Sequence, residues 1–113
     1  MRLRRGQSIT AGSGYLLVGF DAVLADSRCP KGDTCIWAGD ATVRIWVQKP
    51  GGPRQQLELH TATAKRRWAA TGDGYVLLQV LEPYPIAGQR LDPDGYIATL
   101  LLTREQPESD GLR

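Results

Sequence analysis

From position 41 to 48 the chain alternates without a break. Ala41, Val43, Ile45 and Val47 fall on one side, and Thr42, Arg44, Trp46 and Gln48 on the other. A period of two with one apolar face is what a half-buried strand requires, and a helix would scatter those residues around its axis. The pattern recurs. In 15–24, Leu16, Val18, Phe20, Ala22 and Leu24 line one face, opposite a mixed face of Tyr15, Gly19 and Asp21; later, Leu57 and Leu59 alternate with Gln56, Glu58 and His60. The runs 75–81 and 96–103 are apolar on both sides, as central strands are. Glycine, proline and Asx clusters at 11–14, 26–33, 50–53, 71–74, 83–88 and 92–95 punctuate these runs as turns. Short strands at such spacing predict an all-β chain, an antiparallel β-sandwich of about seven strands, with a closed or partly open barrel as the alternative. The first strand carries Leu3 and Ile9 and breaks at Gly6, and GSG at 12–14 reads as a hairpin turn. AKRRWAA at 64–70 is too short to hold as a helix alone and reads as a short strand or turn. One domain over 1–104 and a polar, disordered tail over 105–113 complete the expected organisation.

Composition narrows the function classes. With 113 residues, 42% of them apolar, the chain can build its own core without a staple. A formal net charge of +2 is too even to predict binding to nucleic acid or an anionic membrane. No run approaches the roughly 18 apolar residues of a membrane span. The chain has no GxSxG, HExxH or P-loop and a single histidine, His60, predicted to point outward. The carboxylate pairs Asp92/Asp94 and Glu105/Glu108 fall in turns or the tail, and no side chain has a visible reason for a shifted pKa. The expectation is a non-enzymatic protein without a cofactor.

The stretch DSRCPKGDTCIWAGDA, 26–41, holds both cysteines. Pro30 fixes φ and Gly32 tolerates a positive φ, so the segment can reverse and bring the sulfurs together. A Cys29–Cys35 disulfide is the simplest pairing, and closing a seven-residue loop stabilises by about 2.4 kcal/mol on chain-entropy grounds. A disulfide in turn favours a periplasmic or extracellular home. The opening MRLRRGQSIT lacks a signal-peptide apolar core and a lipobox cysteine, which leaves a cytoplasmic location as the alternative. Each neighbour of the cysteines has a structural task open to it. Asp26 can accept backbone N–H bonds in an Asx turn; Arg28 can pair with Asp26 or with loop carbonyls; Trp37 can cover the disulfide; Gly39 can admit the chain to the next strand.

Asp26, Ser27, Arg28, Cys29 and Pro30, then Cys35, then Trp37, Ala38 and Gly39 form a DSRCP(x4)CxWAG pattern. With Phe20 and Val23 before it, Ala41 after it, and Pro83 and Pro85 ahead of Tyr96, it resembles that of uncharacterised bacterial secreted or lipoprotein-like domains. The resemblance spans Gly6 to about Thr103. It implies an exported β-domain and carries no activity, so no catalytic residue follows from it.

Functionally these observations point to an envelope-associated structural or protein-binding module, its partner another envelope protein. The alternative is a small-molecule or metal-binding domain that uses the 26–40 loop. The candidate binding residues there are Asp26, Arg28, Lys31, Asp33 and Trp37. A second candidate surface is the outward face of 41–48, where Arg44 and Trp46 share a side and an exposed Trp beside Arg would make an interface anchor. Several sharper chemistries compete for the loop. A Cys2His zinc set would draw in His60 with Asp26 or Asp33; Asp26, Asp33 and Asp40 recur as hard oxygen donors; Lys31 sits where an inhibitor loop offers a basic side chain to a protease; and Lys31, Gly32 and Asp33 resemble an integrin-recognition tripeptide. Solvated turn residues and solitary matches account for these more simply, and no metal site is expected.

Overall fold

The computed structural model describes residues 1–11, 16–62, 66–72 and 74–107. Eight strands run through them: β1 (Arg2–Arg4), β2 (Ser8–Ala11), β3 (Leu16–Asp26), β4 (Ala41–Gln48), β5 (Arg54–His60), β6 (Trp68–Ala70), β7 (Tyr75–Glu82) and β8 (Ile97–Thr103). All pairings are antiparallel, and they form two four-stranded sheets, β1-β8-β7-β6 and β2-β3-β4-β5. Neither sheet closes on itself, so the fold is the β-sandwich and not the barrel. Among the described residues no helix is long and apolar enough to cross a membrane. The expected turn at 12–14, the start of the 64–70 segment and the last six tail positions lie outside the described residues.

The eighth strand comes from the break at Gly6. The two halves of the expected first strand join different sheets: Leu3 pairs with Ala98 of β8, whereas Ile9 pairs with Val18 of β3. Between them Gln7 N–H donates to the Arg4 carbonyl, and Phe20 exchanges backbone bonds with Gly6 and Gln7. The chain thereby steps from one layer to the other and laces their edges together.

The core is the inward faces that alternation foretold. Ala41, Val43, Ile45 and Val47 of β4 are buried and their four partners only half so. They pack with Leu16, Val18 and Phe20 of β3, Leu59 of β5, and Val76, Leu78, Ala98 and Leu100 of the other sheet. On β3 the foretold face fails after Phe20, and Leu24 is exposed. Two irregularities cause this, one between Phe20 and Ala22 and one between Val23 and Ala25. Each bulge inserts one residue and flips the parity of the strand. The inward positions therefore run 16, 18, 20, then 23, paired with Val43, then 26, paired with Ala41. The second bulge undoes the parity change of the first, and Asp26, a carboxylate, ends the inward row.

Candidate functional site

Asp26 at the end of β3 cannot enter an apolar core uncompensated, since burying a lone carboxylate costs several kcal/mol. Arg28 compensates it. Its Nε donates to Asp26 Oδ1 at 2.8 Å and its Nη2 to Oδ2 at 2.7 Å, a bidentate fork, while its backbone N–H closes the expected Asx turn at 3.2 Å. The Tyr96 hydroxyl donates to Asp26 Oδ2 at 2.9 Å from the opposite sheet. The guanidinium also donates to the carbonyls of Leu81, at 2.8 Å, and Pro83, at 3.0 Å. Both charged side chains are over nine-tenths buried. Burial raises the Asp26 carboxyl, but hydrogen bonds from Arg28 and Tyr96 outweigh it, and its pKa lies below the usual 3.8. Burial first, then the bond to the Asp26 carboxylate, pushes the Tyr96 phenol up to about 12. These two shifts correct the expectation that no group had a reason for one.

This cluster is the root of a long hairpin. Past the ends of β3 and β4 the ladder continues, with Ser27 N–H donating to the Asp40 carbonyl at 2.7 Å and Cys29 N–H to the Ala38 carbonyl at 3.0 Å. Gly39 permits that continuation: it has φ +78°, and a Cβ there would stand 2.0 Å from the Ser27 carbonyl oxygen. Asp40 fastens the return leg. Its Oδ1 accepts the N–H groups of Thr61 and Ala62, and its Oδ2 lies 2.7 Å from His60 Nδ1. Asp26 is thus the structural acceptor that its Asx turn and pairing with Arg28 implied, and Asp40 is a structural acceptor too, not a solvated turn residue.

Above the root, residues 30–37 form the tip. The Cys29–Cys35 disulfide is present, with Cα atoms 6.0 Å apart. Lys31 is held by a parallel bridge to Ile86: its N–H donates to the Pro85 carbonyl and its carbonyl accepts from Ala87 N–H, both at 2.9 Å. Tyr84, between Pro83 and Pro85, lies under the Arg28 guanidinium at 5.1 Å and near Lys31 Nζ at 5.9 Å. A shallow depression of about 720 Å³ separates the disulfide loop from Tyr84 and is walled by Trp37. Past the disulfide, Ile36 and Trp37 stand 91% and 79% exposed, and Tyr84 and Ile86 are each a little over two-fifths exposed, at 41% and 44%.

The loop candidates therefore divide. Asp26 and Arg28 lie inside, as a structural pair; Lys31, Asp33 and Trp37 lie outside at the tip. Trp37 does not cover the disulfide as a core tryptophan would, because the hairpin carries it beyond the reach of the second sheet. Lys31 does not offer its backbone to a protease either, since both its N–H and its carbonyl are engaged by 85–87. Ile36, Tyr84 and Ile86 were not among the candidates. An apolar pair wedged between a cysteine and a WAG turn, and an aromatic between two prolines, were the available signals. With the sulfurs bonded to each other, no group of three His, Cys, Asp or Glu side chains among the described residues is placed to hold a metal ion.

Arg44 and Trp46 share the outward face of β4, as alternation requires, yet neither is fully exposed. Arg44 Nε reaches Asp21 Oδ2 at 2.5 Å. The Trp46 indole lies so close over Gly19 that a Cβ there would meet it at 2.1 Å, and the Arg54 guanidinium stacks on the ring at 3.8 Å. What covers Trp46 is its own sheet. Comparison of the chain with protein-family models, curated proteins and solved structures returned no match.

Proposed function

We propose that the protein is a non-enzymatic, exported binding module that docks another envelope protein through the tip of the β3–β4 hairpin. The observation that carries this reading is the adjacent pair Ile36 and Trp37, 91% and 79% exposed, on a loop whose root is anchored by buried bonds. Exposed apolar side chains scattered singly need no explanation, but neighbouring ones on a rigid projection resemble the aromatic anchors of interfaces. Rigidity lowers the ordering cost on binding. A protein cleft suits the tip better than a bilayer does, because Asp33 shares it and the backbone groups of residues 34–37 need hydrogen-bonding partners once buried. The disulfide supports an oxidising compartment. The polar groups with shifted ionisation are engaged with each other and with backbone carbonyls, which supports a structural over a catalytic use of them.

A photo-crosslinking amino acid at position 36 in the intact chain tests this. The expected result is one discrete protein adduct in envelope preparations, competed by the unlabelled native chain and not by an Ile36→Ser/Trp37→Ser chain. Adducts to lipid alone, or adducts that both chains compete equally, would refute the reading. A second reading rests on the depression between the two aromatic walls, Trp37 and Tyr84: a flat small molecule stacked there would quench Trp37 and leave the crosslink absent.

A further inference from the structure

The hairpin is anchored twice, and the two anchors do different work. Below the disulfide, Ser27 and Cys29 are held by ladder bonds to Asp40 and Ala38, Arg28 by its four guanidinium bonds, and Lys31 by the bridge to Pro85 and Ala87. None of these uses a sulfur atom. Above Lys31 the situation reverses. Asp33 N–H bonds back to Pro30, but the backbone groups of Thr34, Cys35, Ile36 and Trp37 make no hydrogen bond to the described residues. The next ladder bond on the return leg is at Ala38. One covalent link, from exposed Cys35 to Cys29, therefore fixes the stretch that displays Ile36 and Trp37.

We infer that this disulfide is a redox latch on the docking tip and not a staple for the sandwich. The inference rests on the docking reading for its consequence and on the bonding pattern for its mechanism. A dithiol reductant attacks at the accessible Cys35 sulfur, forms a mixed disulfide and releases the Cys29 thiolate. The second reductant thiol then displaces Cys35 and leaves as an intramolecular disulfide. Two electrons and two protons end on Cys29 and Cys35. The reduced tip loses its fixed presentation of Ile36 and Trp37, while everything from Lys31 inward keeps its bonds. Docking then belongs to the oxidised form, and a protein delivered to a reducing compartment is held undocked.

Backbone ¹⁵N relaxation on the oxidised protein, the dithiothreitol-reduced protein and a Cys29→Ser/Cys35→Ser variant decides this. In the oxidised form, order parameters across 32–37 should sit near the rigid-backbone value of about 0.85, falling below about 0.6 in the other two. Those of Ser27, Cys29, Lys31 and the β3 and β4 strands should not change. Order at 32–37 that survives reduction would overturn the latch; so would loss of order throughout the sandwich, or a double-serine variant that fails to fold. Because the readout needs no partner, it can fail while the crosslink at position 36 succeeds, and the reverse.

Discussion

Replacing Arg28 with methionine should do more damage than any substitution at the tip. The change removes the bidentate partner of Asp26 and the donor to the Leu81 and Pro83 carbonyls, while methionine roughly fills the volume of the stem. What remains is a carboxylate over nine-tenths buried with the Tyr96 hydroxyl as its main donor. Removing one partner of a buried ion pair costs about 3–5 kcal/mol. For 113 residues, an unfolding entropy of about 2.1 cal/mol/K per residue makes each kcal/mol worth roughly 4 °C, so Tm should fall by roughly 12–20 °C. The pH dependence identifies the cause. In the native protein the Asp26 pKa is depressed below 3.8, so its contribution is present above pH 3.8 and is lost as pH falls through the folded value. Without the guanidinium, burial is left largely unopposed and raises the folded pKa above 3.8. The variant then recovers stability as pH falls towards 3.8, and its deficit narrows. Urea unfolding followed by tryptophan fluorescence at pH 7 and at pH 4 measures both effects. A deficit under about 1 kcal/mol at pH 7, the range of an exposed pair, or one constant between the two pH values, would refute the account of Arg28 as compensation for a buried charge. Asp26→Leu together with Arg28→Met should restore part of the loss. The two carbonyls would still lack their donor.

Three further outcomes follow from the same geometry. Gly39→Ala places a Cβ 2.0 Å from the Ser27 carbonyl oxygen at φ +78°, and should lower stability by about 2 kcal/mol or more in calorimetry; a Tm within a degree or two of the native value would contradict the close approach. Tyr96, at about 12 against 10 in the unfolded chain, contributes stability fully below pH 10 that is lost as pH rises from 10 to 12; ultraviolet titration of Tyr96→Phe should lack that late ionisation, and the variant should be about 1.5–3 kcal/mol less stable at pH 7. Ile36→Ser/Trp37→Ser should leave thermal stability within about 0.5 kcal/mol of native, since neither side chain packs against the core; a larger loss would make them structural.

Much of the sandwich was written in local pattern. The β4 alternation alone names four core residues, and the turn chemistry of CPKGDTC suffices for the disulfide. Illegibility begins where parity changes without a chemical mark. In LLVGFDAVLAD, Ala22 and Leu24 continue the apolar alternation by type, so nothing announces the two bulges that turn Leu24 out and Val23 in. The break at Gly6 is visible, but not that its two halves belong to different layers, because that depends on β8, nearly the whole chain away. Arg28 fails for the same reason. Its local partner, Asp26, was legible; the carbonyls of Leu81 and Pro83 and the Tyr96 hydroxyl lie more than fifty residues off. Of the two readings open to Trp37, cover for the disulfide and candidate binding residue, the first fails because the hairpin extends past the place where an interior exists.

The second half of the chain is what gives the tip its direction. A β-hairpin extended beyond its sheet would bend freely at the last ladder bond, since two strands alone are marginal in water. Here the segment after β7 lies alongside it. Pro83 and Pro85 have no N–H to contribute to a ladder, and their carbonyls instead accept from the Arg28 guanidinium and the Lys31 N–H. Ala87 returns a bond to Lys31, so the outgoing leg is gripped at its side chain and again at its backbone. The return leg is gripped by Asp40 on the N–H groups that follow β5. Two separate parts of the chain thus brace one hairpin, up to Lys31 on one leg and Ala38 on the other, and leave the few residues between them to the disulfide. The bracing stops there, and what stands beyond it is Ile36 and Trp37.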